Sequence, residues 1–311
     1  MTRTEALVQE RGIPGGFVMP GFYGATREGQ IKLLDRGGGD ISGSILAKCL
    51  GADLYENWTD VSGFLSADPR VVEHPQPIGR VTYQELRELS YMGASVLHEE
   101  AVFPVMEAGI PIAVLNTNRP QDKGTIISDR EDYISGEPII TGVTGKQNFV
   151  AVHILKDHMS NEVGIIRRVL SVFERYHVSV EHIPSGIDSF AVVVQGDDVK
   201  DCIWSIVADI KSEIPVDKIK VVEDLALIST VGRNMIGRPG VSGSLFAALG
   251  QEGISIRMIA QGSDEINIIV GVHKDDFERA IRAIYRAFSD GDHLLELKDL
   301  KRAEESARIA R

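Results

Sequence analysis

A segment in the second half of the chain recurs 76 positions further on, and this repeat constrains the fold more than any other feature. Residues 164–194 align on residues 240–270 without a gap. Six aligned pairs are identical: Gly164/Gly240, Ser179/Ser255, Ile183/Ile259, Gly186/Gly262, Asp188/Asp264 and Val194/Val270. Two α+β stretches can share a hydrophobic pattern by chance, but a gapless match with paired Gly and Asp favours duplication.

Each copy of the repeat carries the pattern of one helix followed by two strands. The helical stripe is Ile165, Val169, Val172 and Phe173 in the first copy and Val241, Leu245, Ala248 and Leu249 in the second. Alternating apolar residues predict strands at 178–180 and 190–194, and at 254–256 and 266–270, joined by turn-forming residues. A second helix is predicted near 198–211 and near 276–289, with Ile203, Ile206, Ile281 and Ile284 facing inward. Opening strands at 149–154 and 225–231 and closing strands at 219–223 and 293–297 would complete two β-α-β-β-α-β units.

The first 145 residues show a different pattern, in which strands and helices alternate. We predict a short helix near 4–11, a helix from Ile41, a strand and loop within 52–64, and strands at 111–115 and 125–127. The stretch 81–109 is predicted to be helical, with breaks at Gly93 and Pro104. This alternation favours an α/β sheet covered by helices.

The sequence RGGGD at 36–40 is the strongest candidate for a binding motif in this half. Its glycines allow backbone N–H groups to approach a ligand, and the helix that follows offers its positive end to an anion. Arg36 can hold a carboxylate with two hydrogen bonds. Asp40 can either cap the helix or bind an ammonium group, and a plain glycine turn with Asp40 as the cap is the simpler interpretation.

Charge and composition exclude several classes of protein. The chain has 33 Lys and Arg against 45 Asp and Glu, a net charge of −12, which argues against nucleic-acid binding. No apolar run is long enough for a membrane helix, and the polar N-terminus resembles no signal peptide. The two cysteines, Cys49 and Cys202, favour a reducing compartment, and we expect a cytoplasmic protein without a metal site in its chain.

Several motifs in this order resemble those of the aspartate kinase family. In the first half these are GFYG at 21–24, RGGGD at 36–40, WTDVSGF at 58–64, DPR at 68–70 and GASVLH at 93–98. In the second half, VGRNM at 231–235, GVSGSLFAAL at 240–249 and ISIRMIAQGSDEINI at 254–268 are similar to the second ACT domain of these enzymes.

The resemblance implies an α/β fold with three domains and a short tail. Residues 1–145 would form the C-terminal part of an amino-acid-kinase α/β/α sandwich. Residues 146–223 and 224–298 would form two ferredoxin-like α+β ACT domains, and 299–311 a C-terminal tail. ACT units commonly pair across a two-fold axis, so the resemblance also implies a homodimer.

The resemblance further implies a reaction and the residues that perform it. Aspartate kinase transfers the γ-phosphoryl of ATP to the β-carboxylate of L-aspartate, with ATP bound to Mg²⁺. Arg36 and Asp40 would be catalytic and, with Phe22 and Gly37, would bind the substrate. Thr59, Asp60, Arg70 and Ser95 would lie at the nucleotide site. Asp60 could instead be a turn residue, and Arg70 an ordinary surface partner of nearby acids.

An amino-acid effector, lysine or threonine, would bind the first ACT unit. Its pocket would be lined by Met159, Gly164, Ile165, Ile166, Glu181, Gly186 and Ile187. The simpler alternative places Ile165 in the core and leaves Glu181 in solvent.

Three departures from the family pattern affect the expected activity. Gly39 stands where RGGSD is usual, and Ser95 where some members carry Lys. The Lys-x-Gly-Gly strand that supplies a phosphate-binding cation is absent from the 311 residues. We therefore expect a truncated form with little phosphoryl transfer alone. A non-catalytic amino-acid-binding regulator that retains a kinase remnant is the alternative.

Overall fold

The computed structural model describes residues 16–93, 97, 99–129 and 138–289. It contains two compact units. The N-terminal unit comprises the described residues up to Val143 together with Val231–Met235. The C-terminal unit comprises Thr144–Thr230 and the described residues from Ile236 onward. The predicted helix at 4–11, the predicted strand at 293–297, the tail at 299–311 and Ser95 lie outside the described residues.

The N-terminal unit is a mixed sheet with three helices among its described residues. The helices are α1 (Gly38–Leu50), α2 (Tyr83–Tyr91) and α3 (Glu99–Glu107). The strands are β1 (Tyr23–Ala25), β2 (Ile31–Leu33), β3 (Tyr55–Thr59), β4 (Phe64–Leu65), β5 (Pro77–Ile78), β6 (Arg80–Val81), β7 (Ile112–Asn116) and β8 (Thr125–Ile127). The four-stranded sheet has the order β3-β7-β8-β6, with β3 parallel to β7 and β6 parallel to β8. Strands β1–β2 and β4–β5 form two small antiparallel pairs.

Two helices in this unit depart from the predicted boundaries. Helix α1 begins at Gly38, three residues before the predicted start, because Gly37 rather than Asp40 is its N-cap. Helix α3 continues through Pro104 to Glu107, so the predicted break there was wrong. Pro104 has no N–H to donate to the carbonyl four residues earlier, at Glu100, which is an exposed residue.

A fully buried carboxylate holds the start of α2. Thr82 caps the helix and forms a capping box with Glu85, whose Oε2 accepts hydrogen bonds from Thr82 N at 2.8 Å and Oγ1 at 3.0 Å. Oε1 accepts from Thr141 Oγ1 at 2.5 Å and from Arg233 N at 2.8 Å. Arg233 Nη1 lies 2.9 Å from Oε2, completing a buried ion pair. Burial opposes ionisation, but these donors outweigh it and lower the pKa of Glu85.

The C-terminal unit is built on a five-stranded sheet of order β10-β9-β11-β13-β12. Its strands are β9 (Gly142–Leu155), β10 (Ser189–Gln195), β11 (Lys218–Val231), β12 (Met258–Ala260) and β13 (Asn267–His273). Its helices are α4 (Ile165–Arg175), the short α5 (Gly196–Val199), α6 (Ile203–Glu213), α7 (Val241–Gln251) and α8 (Phe277–Ser289). The described residues also form 3₁₀ turns at Met159–Asn161 and Lys274–Asp276 in this unit and at Arg233–Met235 in the N-terminal unit.

The repeated helices bury the predicted stripes. Ile165, Val169, Val172 and Phe173 in α4, and Val241, Leu245 and Leu249 in α7, are all buried, whereas Ala248 is half-buried. The inward positions of the second helices, Ile203, Ile206, Ile281 and Ile284, are also buried. The identical pair Gly164/Gly240 has a specific cause. Both glycines are helix N-caps in the left-handed conformation, at φ 81° and 94°, which other residues adopt only with strain.

The first strand of each predicted hairpin lies four residues later than expected. Residues 178–180 and 254–256 are not strands; in the second copy the strand is β12, and its counterpart in the first copy is 182–184. There the pairing is reduced to two isolated bridges, His182 with Val193 and Ser185 with Phe190. Pro184 occupies the position of Ala260 and has no N–H to donate, which interrupts the ladder.

Strand β11 joins two strands that the sequence separates. The predicted closing strand at 219–223 and opening strand at 225–231 form one continuous strand across Asp224. Asp224 has a φ of 59°, and Asn148, in the interior of β9, has a φ of 68°. A left-handed residue within a strand is typical of a bulge, which bends the strand without ending it.

Candidate active site and effector site

The RGGGD motif places a glycine-capped helix end at the centre of the candidate substrate site. Gly37 is the N-cap of α1, at φ 87°, and no side chain caps the helix. Gly38 N–H donates to Asp35 O at 2.9 Å. Within the described part of the chain, the N–H groups of Gly39 and Asp40 have no acceptor. Two backbone donors at a positive helix end suit a carboxylate or a phosphate.

A loop that carries Phe22 packs against this helix end. Phe22 N donates to Ser42 Oγ at 3.0 Å, and Ser42 Oγ donates to Gly38 O at 2.7 Å. Phe22 O accepts from Leu34 N at 2.9 Å, and Phe22 itself has a left-handed φ of 73°. The structure therefore brings Phe22, Gly37 and Asp40 together at the start of α1. Ser42, which holds the loop, was not predicted from the sequence.

The glycines of RGGGD have different amounts of space around them, and this difference gives a test. A Cβ on Gly38 would lie 2.5 Å from Leu34 Cβ and 3.0 Å from Phe22 Cδ2, whereas a Cβ on Gly39 would meet nothing within 4 Å. We expect Gly38→Ala to destabilise the N-terminal unit by about 1–3 kcal/mol through overpacking. Gly39→Ala is the matched control and should unfold like the unchanged protein in urea. Equal stability of the two variants would contradict this packing.

Asp40 is held by two side chains of β3. Asn57 Nδ2 donates to Asp40 Oδ1 at 3.0 Å, and Tyr55 Oη donates to Asp40 O at 3.2 Å. Burial is the main cause of the raised pKa of Tyr55, and the charge of Asp40 adds to it against the hydrogen bond from Asn57. Asp40 lies in the first turn of α1 and is not its cap, so that interpretation of Asp40 was wrong. Asn57 holds the carboxylate and Tyr55 holds the backbone carbonyl of Asp40, and sequence reasoning missed both.

Arg36 directly precedes the cap residue Gly37 in sequence, whereas Asp40 follows it, and Arg36 is exposed. Among the residues that the structure describes, none accepts a hydrogen bond from its guanidinium. One exposed cation and one positioned carboxylate thus flank Gly37. This arrangement can take the carboxylate and the ammonium group of an amino acid.

Two nucleotide-site candidates lie at the carboxyl end of β3. Thr59 is its last residue, and Thr59 Oγ1 donates to Asp60 Oδ1 at 3.2 Å. The parallel strand β7 ends beside it, and Thr117 donates from N at 2.8 Å and from Oγ1 at 2.7 Å to Thr59 O. In α/β sheets, ligands bind outside the carboxyl ends of parallel strands.

A polar chain that the sequence did not reveal extends from this strand end. Asn116 Nδ2 donates to Ser62 Oγ at 2.9 Å, and Ser62 Oγ donates to Asp122 Oδ2 at 2.5 Å. Ser62 lies 54 positions from Asn116 and 60 positions from Asp122, so no local motif marks these residues. They fix the loops that follow β3 and β7.

Arg70 is engaged by a neighbouring acid. Its Nη2 lies 2.7 Å from Asp68 Oδ2, and its side chain is 88% exposed. The hydrogen bond from Arg70 is the main cause of the lowered pKa of Asp68. The structure thus pairs Arg70 with Asp68 and does not link it to Thr59 or Asp60. Its nucleotide role, like that of Ser95, stays a prediction.

The effector candidates fall into two groups in the first repeat. Met159, Gly164, Ile165 and Ile166 surround the start of α4, where Met159 and Ile165 are buried in the core and Ile166 is half-buried. Gly186 and Ile187 lie at the hairpin turn, with Ile187 76% exposed, and Glu181 is half-buried. The side chain of Ile165 is therefore a core residue, as the simpler interpretation states. The backbone of Gly164 caps the helix and can face a ligand.

Three geometric facts complete the site description. No group of three or more His, Cys, Asp or Glu within the described residues is arranged to hold a metal ion. Cys49 is buried and Cys202 half-buried, both as free thiols. No helix within the described ranges is long and apolar enough to cross a membrane.

Two segments of the chain match known protein families. Residues 10–116 match the amino acid kinase family, and residues 228–288 match an ACT domain. The protein is thus built from an amino acid kinase segment followed by ACT modules, and the predicted fold class is confirmed.

The individual relatives of the chain are aspartate kinases. Aspartokinase 3 of Bacillus subtilis is 38% identical over 278 residues, which are 89% of this chain and 61% of the relative. The crystal structure of Clostridium acetobutylicum aspartate kinase has a TM-score of 0.82 and 49% identity, covering 86% of this chain and 62% of the other. Escherichia coli aspartokinase III, in complex with aspartate and ADP, has a TM-score of 0.68 and 26% identity, covering 86% and 59%. The same enzyme in complex with lysine and aspartate has a TM-score of 0.69.

Over nearly nine tenths of its length the chain is similar to aspartate kinases, and it combines a segment of the amino acid kinase family with an ACT domain. It spans about three fifths of the length of these relatives, 61% in one and 62% in another.

Proposed function

We propose that this chain supplies the substrate- and nucleotide-binding part of an aspartate kinase, which transfers the γ-phosphoryl of ATP to the β-carboxylate of L-aspartate. The observation that carries the proposal is the start of α1, where Arg36, Asp40 and two backbone N–H groups meet. A similar structure, that of Escherichia coli aspartokinase III, was solved with aspartate and ADP. This reaction is the first step of the aspartate pathway to lysine, threonine and methionine.

The chemistry fits these residue types. A carboxylate is ionised near neutral pH and attacks phosphorus without a strong general base, so catalysis depends on positioning and charge neutralisation. Arg36 would hold a substrate carboxylate, Asp40 would bind its ammonium group, and Phe22 and Gly37 would shape the pocket. ATP would enter as its Mg²⁺ complex beside Thr59 and Asp60, with Arg70 and Ser95 as further nucleotide contacts.

The 311 residues alone should catalyse this transfer slowly. They contain no Lys-x-Gly-Gly segment, so these residues do not supply one of the cations that would neutralise phosphate. The test is formation of aspartyl phosphate from ATP and L-aspartate, trapped as the hydroxamate. A trace of product that requires both substrates is expected. A rate equal to that of a full-length aspartate kinase would contradict the need for that cation.

We further propose that an amino acid, lysine or threonine, regulates the enzyme through the first repeat. The supporting feature is the Gly164-capped start of α4, which offers N–H groups to a carboxylate, and the same repeat carries Glu181 as a candidate partner for an ammonium group. A related structure contains lysine. The sheet edge at β12 supports a homodimer through the ACT units, and the two free thiols support a cytoplasmic location.

Calorimetry with lysine and with threonine tests this regulatory site. We expect heat with at least one of them, and Glu181→Gln should weaken that binding about tenfold because a charged partner of the ammonium group is lost. Asp201→Asn, a change at an exposed acid of the same unit, should leave the affinity unchanged. No heat with either amino acid would refute an intact effector site.

A further inference from the structure

The sheet of the C-terminal unit has a second face that the proposed function does not use. One face is covered by the helices, and its side chains, including Val152, Val192 and Val194, belong to the buried core. The opposite face contains a groove of about 570 Å³. A volume of this size is typical of pockets for small organic ligands.

The groove exists because small residues alternate with larger ones across neighbouring strands. In the β9–β10 pairing, Ala151 lies opposite Val193, and Ala191 lies opposite His153. All four line the groove, and each pair therefore contains one alanine, which lowers the surface locally. The aliphatic side chains of Val222, Leu225 and Met258 also line it, so much of the groove is apolar.

The charges at the groove have one sign. Lys220 and Arg257 line it, both are exposed, and no Asp or Glu is among its lining residues. Within the described ranges neither cation forms an ion pair. Asp224 feels the charge of Arg257, but its ion-pair partner is Lys274, at 2.7 Å. In a chain of net charge −12, two cations without a carboxylate partner mark a local positive potential.

Polar groups complete the ligand chemistry. The hydroxyl-bearing residues Ser185 and Ser189, and the imidazole of His153, line the same groove as the two cations. Hydroxyl, imidazole, ammonium and guanidinium groups can all donate hydrogen bonds to a carboxylate or a phosphate, and an apolar substituent could cover the alanines.

We propose that this groove is a binding site for a small organic anion, a carboxylate or a phosphate monoester, that carries an apolar group. Lys220 and Arg257 hold the anion, and the surface around Ala151, Ala191 and Met258 receives the apolar part. The site is separate from the start of α4, where the effector is proposed to bind, although Gly186 at the hairpin turn lines the groove.

The experiment is calorimetric titration of the 311-residue protein with three probes: phenyl phosphate, 3-phenylpropanoate and phenol. We expect at least one of the two anions to bind. Phenol, which is uncharged, should give no measurable heat. The anion that binds more tightly identifies the class of the ligand as a phosphate monoester or a carboxylate. Lys220→Gln combined with Arg257→Gln should weaken binding about tenfold or more, because charge-assisted hydrogen bonds are lost. Lys200→Gln, at an exposed lysine outside the groove, is the matched control.

A second variant tests the groove without changing its charge. Ala151→Leu should fill the hollow and reduce binding of the anions while leaving calorimetry with lysine or threonine unchanged. The proposal fails if neither anion binds at millimolar concentration, if the double variant binds as the unchanged protein does, or if rising protein concentration abolishes binding because a second copy covers this face.

Discussion

Replacing Glu85 with glutamine is expected to destabilise the N-terminal unit by about 3–5 kcal/mol, because the change removes a buried negative charge that pairs with Arg233, whose side chain is only 11% exposed. Glu85 is fully buried, and its two oxygens accept five hydrogen bonds, from Thr82, Thr141 and Arg233. The same carboxylate forms the capping box of α2, so the helix start is weakened as well. Urea unfolding monitored by circular dichroism measures the change.

A matched control distinguishes burial from charge alone. Glu107, at the end of α3, pairs with Lys48 at 2.6 Å on the surface, and Glu107→Gln should leave the unfolding midpoint nearly unchanged. If the two substitutions have equal effects, the buried pair does not hold this unit together.

The pH dependence of stability follows from the lowered pKa of Glu85. A carboxyl group with a lowered pKa in the folded state stabilises the protein fully above its ordinary pKa, 4.5, and loses this contribution as the pH falls through the folded-state value. Stability of the unchanged protein should therefore decrease with acid more steeply than that of Glu85→Gln. Parallel curves below that pH would contradict the ionised, hydrogen-bonded state.

Replacing Arg36 with glutamine is expected to weaken L-aspartate binding roughly 100-fold, since a bidentate hydrogen bond to a carboxylate is replaced by a neutral one. The side chain is exposed, so the fold should be retained, and unfolding in urea checks this. Lysine at position 36 should restore only part of the affinity, because an ammonium group cannot form the planar pair.

The control for Arg36 is another exposed arginine of the same unit. Arg87 lies on α2, away from the RGGGD motif in sequence, and Arg87→Gln should bind L-aspartate as the unchanged protein does. Equal affinity of the Arg36 and Arg87 variants would exclude Arg36 from the substrate site.

Local periodicity predicted most of the elements, because helix and strand patterns depend on neighbouring residues. The stripes of α4 and α7 and the alternation in β10 and β13 follow directly from the 76-residue repeat. RGGGD likewise predicted a helix start, since glycine and helix signals are local. The left-handed cap at Gly37 made that start three residues earlier than the apolar pattern indicated.

Features that depend on distant residues were not predictable from local pattern. Asn57 reaches Asp40 across 17 positions, and Arg233 reaches Glu85 across 148. Position 224 carries Asp, a turn former, yet β11 continues through it with Asp224 in a left-handed conformation. Segment 231–235 resembles part of an ACT domain, yet it belongs to the N-terminal unit. Its Arg233 contributes to this through the ion pair with Glu85.

Calorimetric titration of the 311-residue protein with L-aspartate tests the central claim most directly. We predict saturable binding that is weakened roughly 100-fold by Arg36→Gln, retained with Arg87→Gln, and much weaker for L-asparagine, which has no second carboxylate. Absence of heat with L-aspartate, or equal binding of asparagine, would contradict a substrate site at the start of α1.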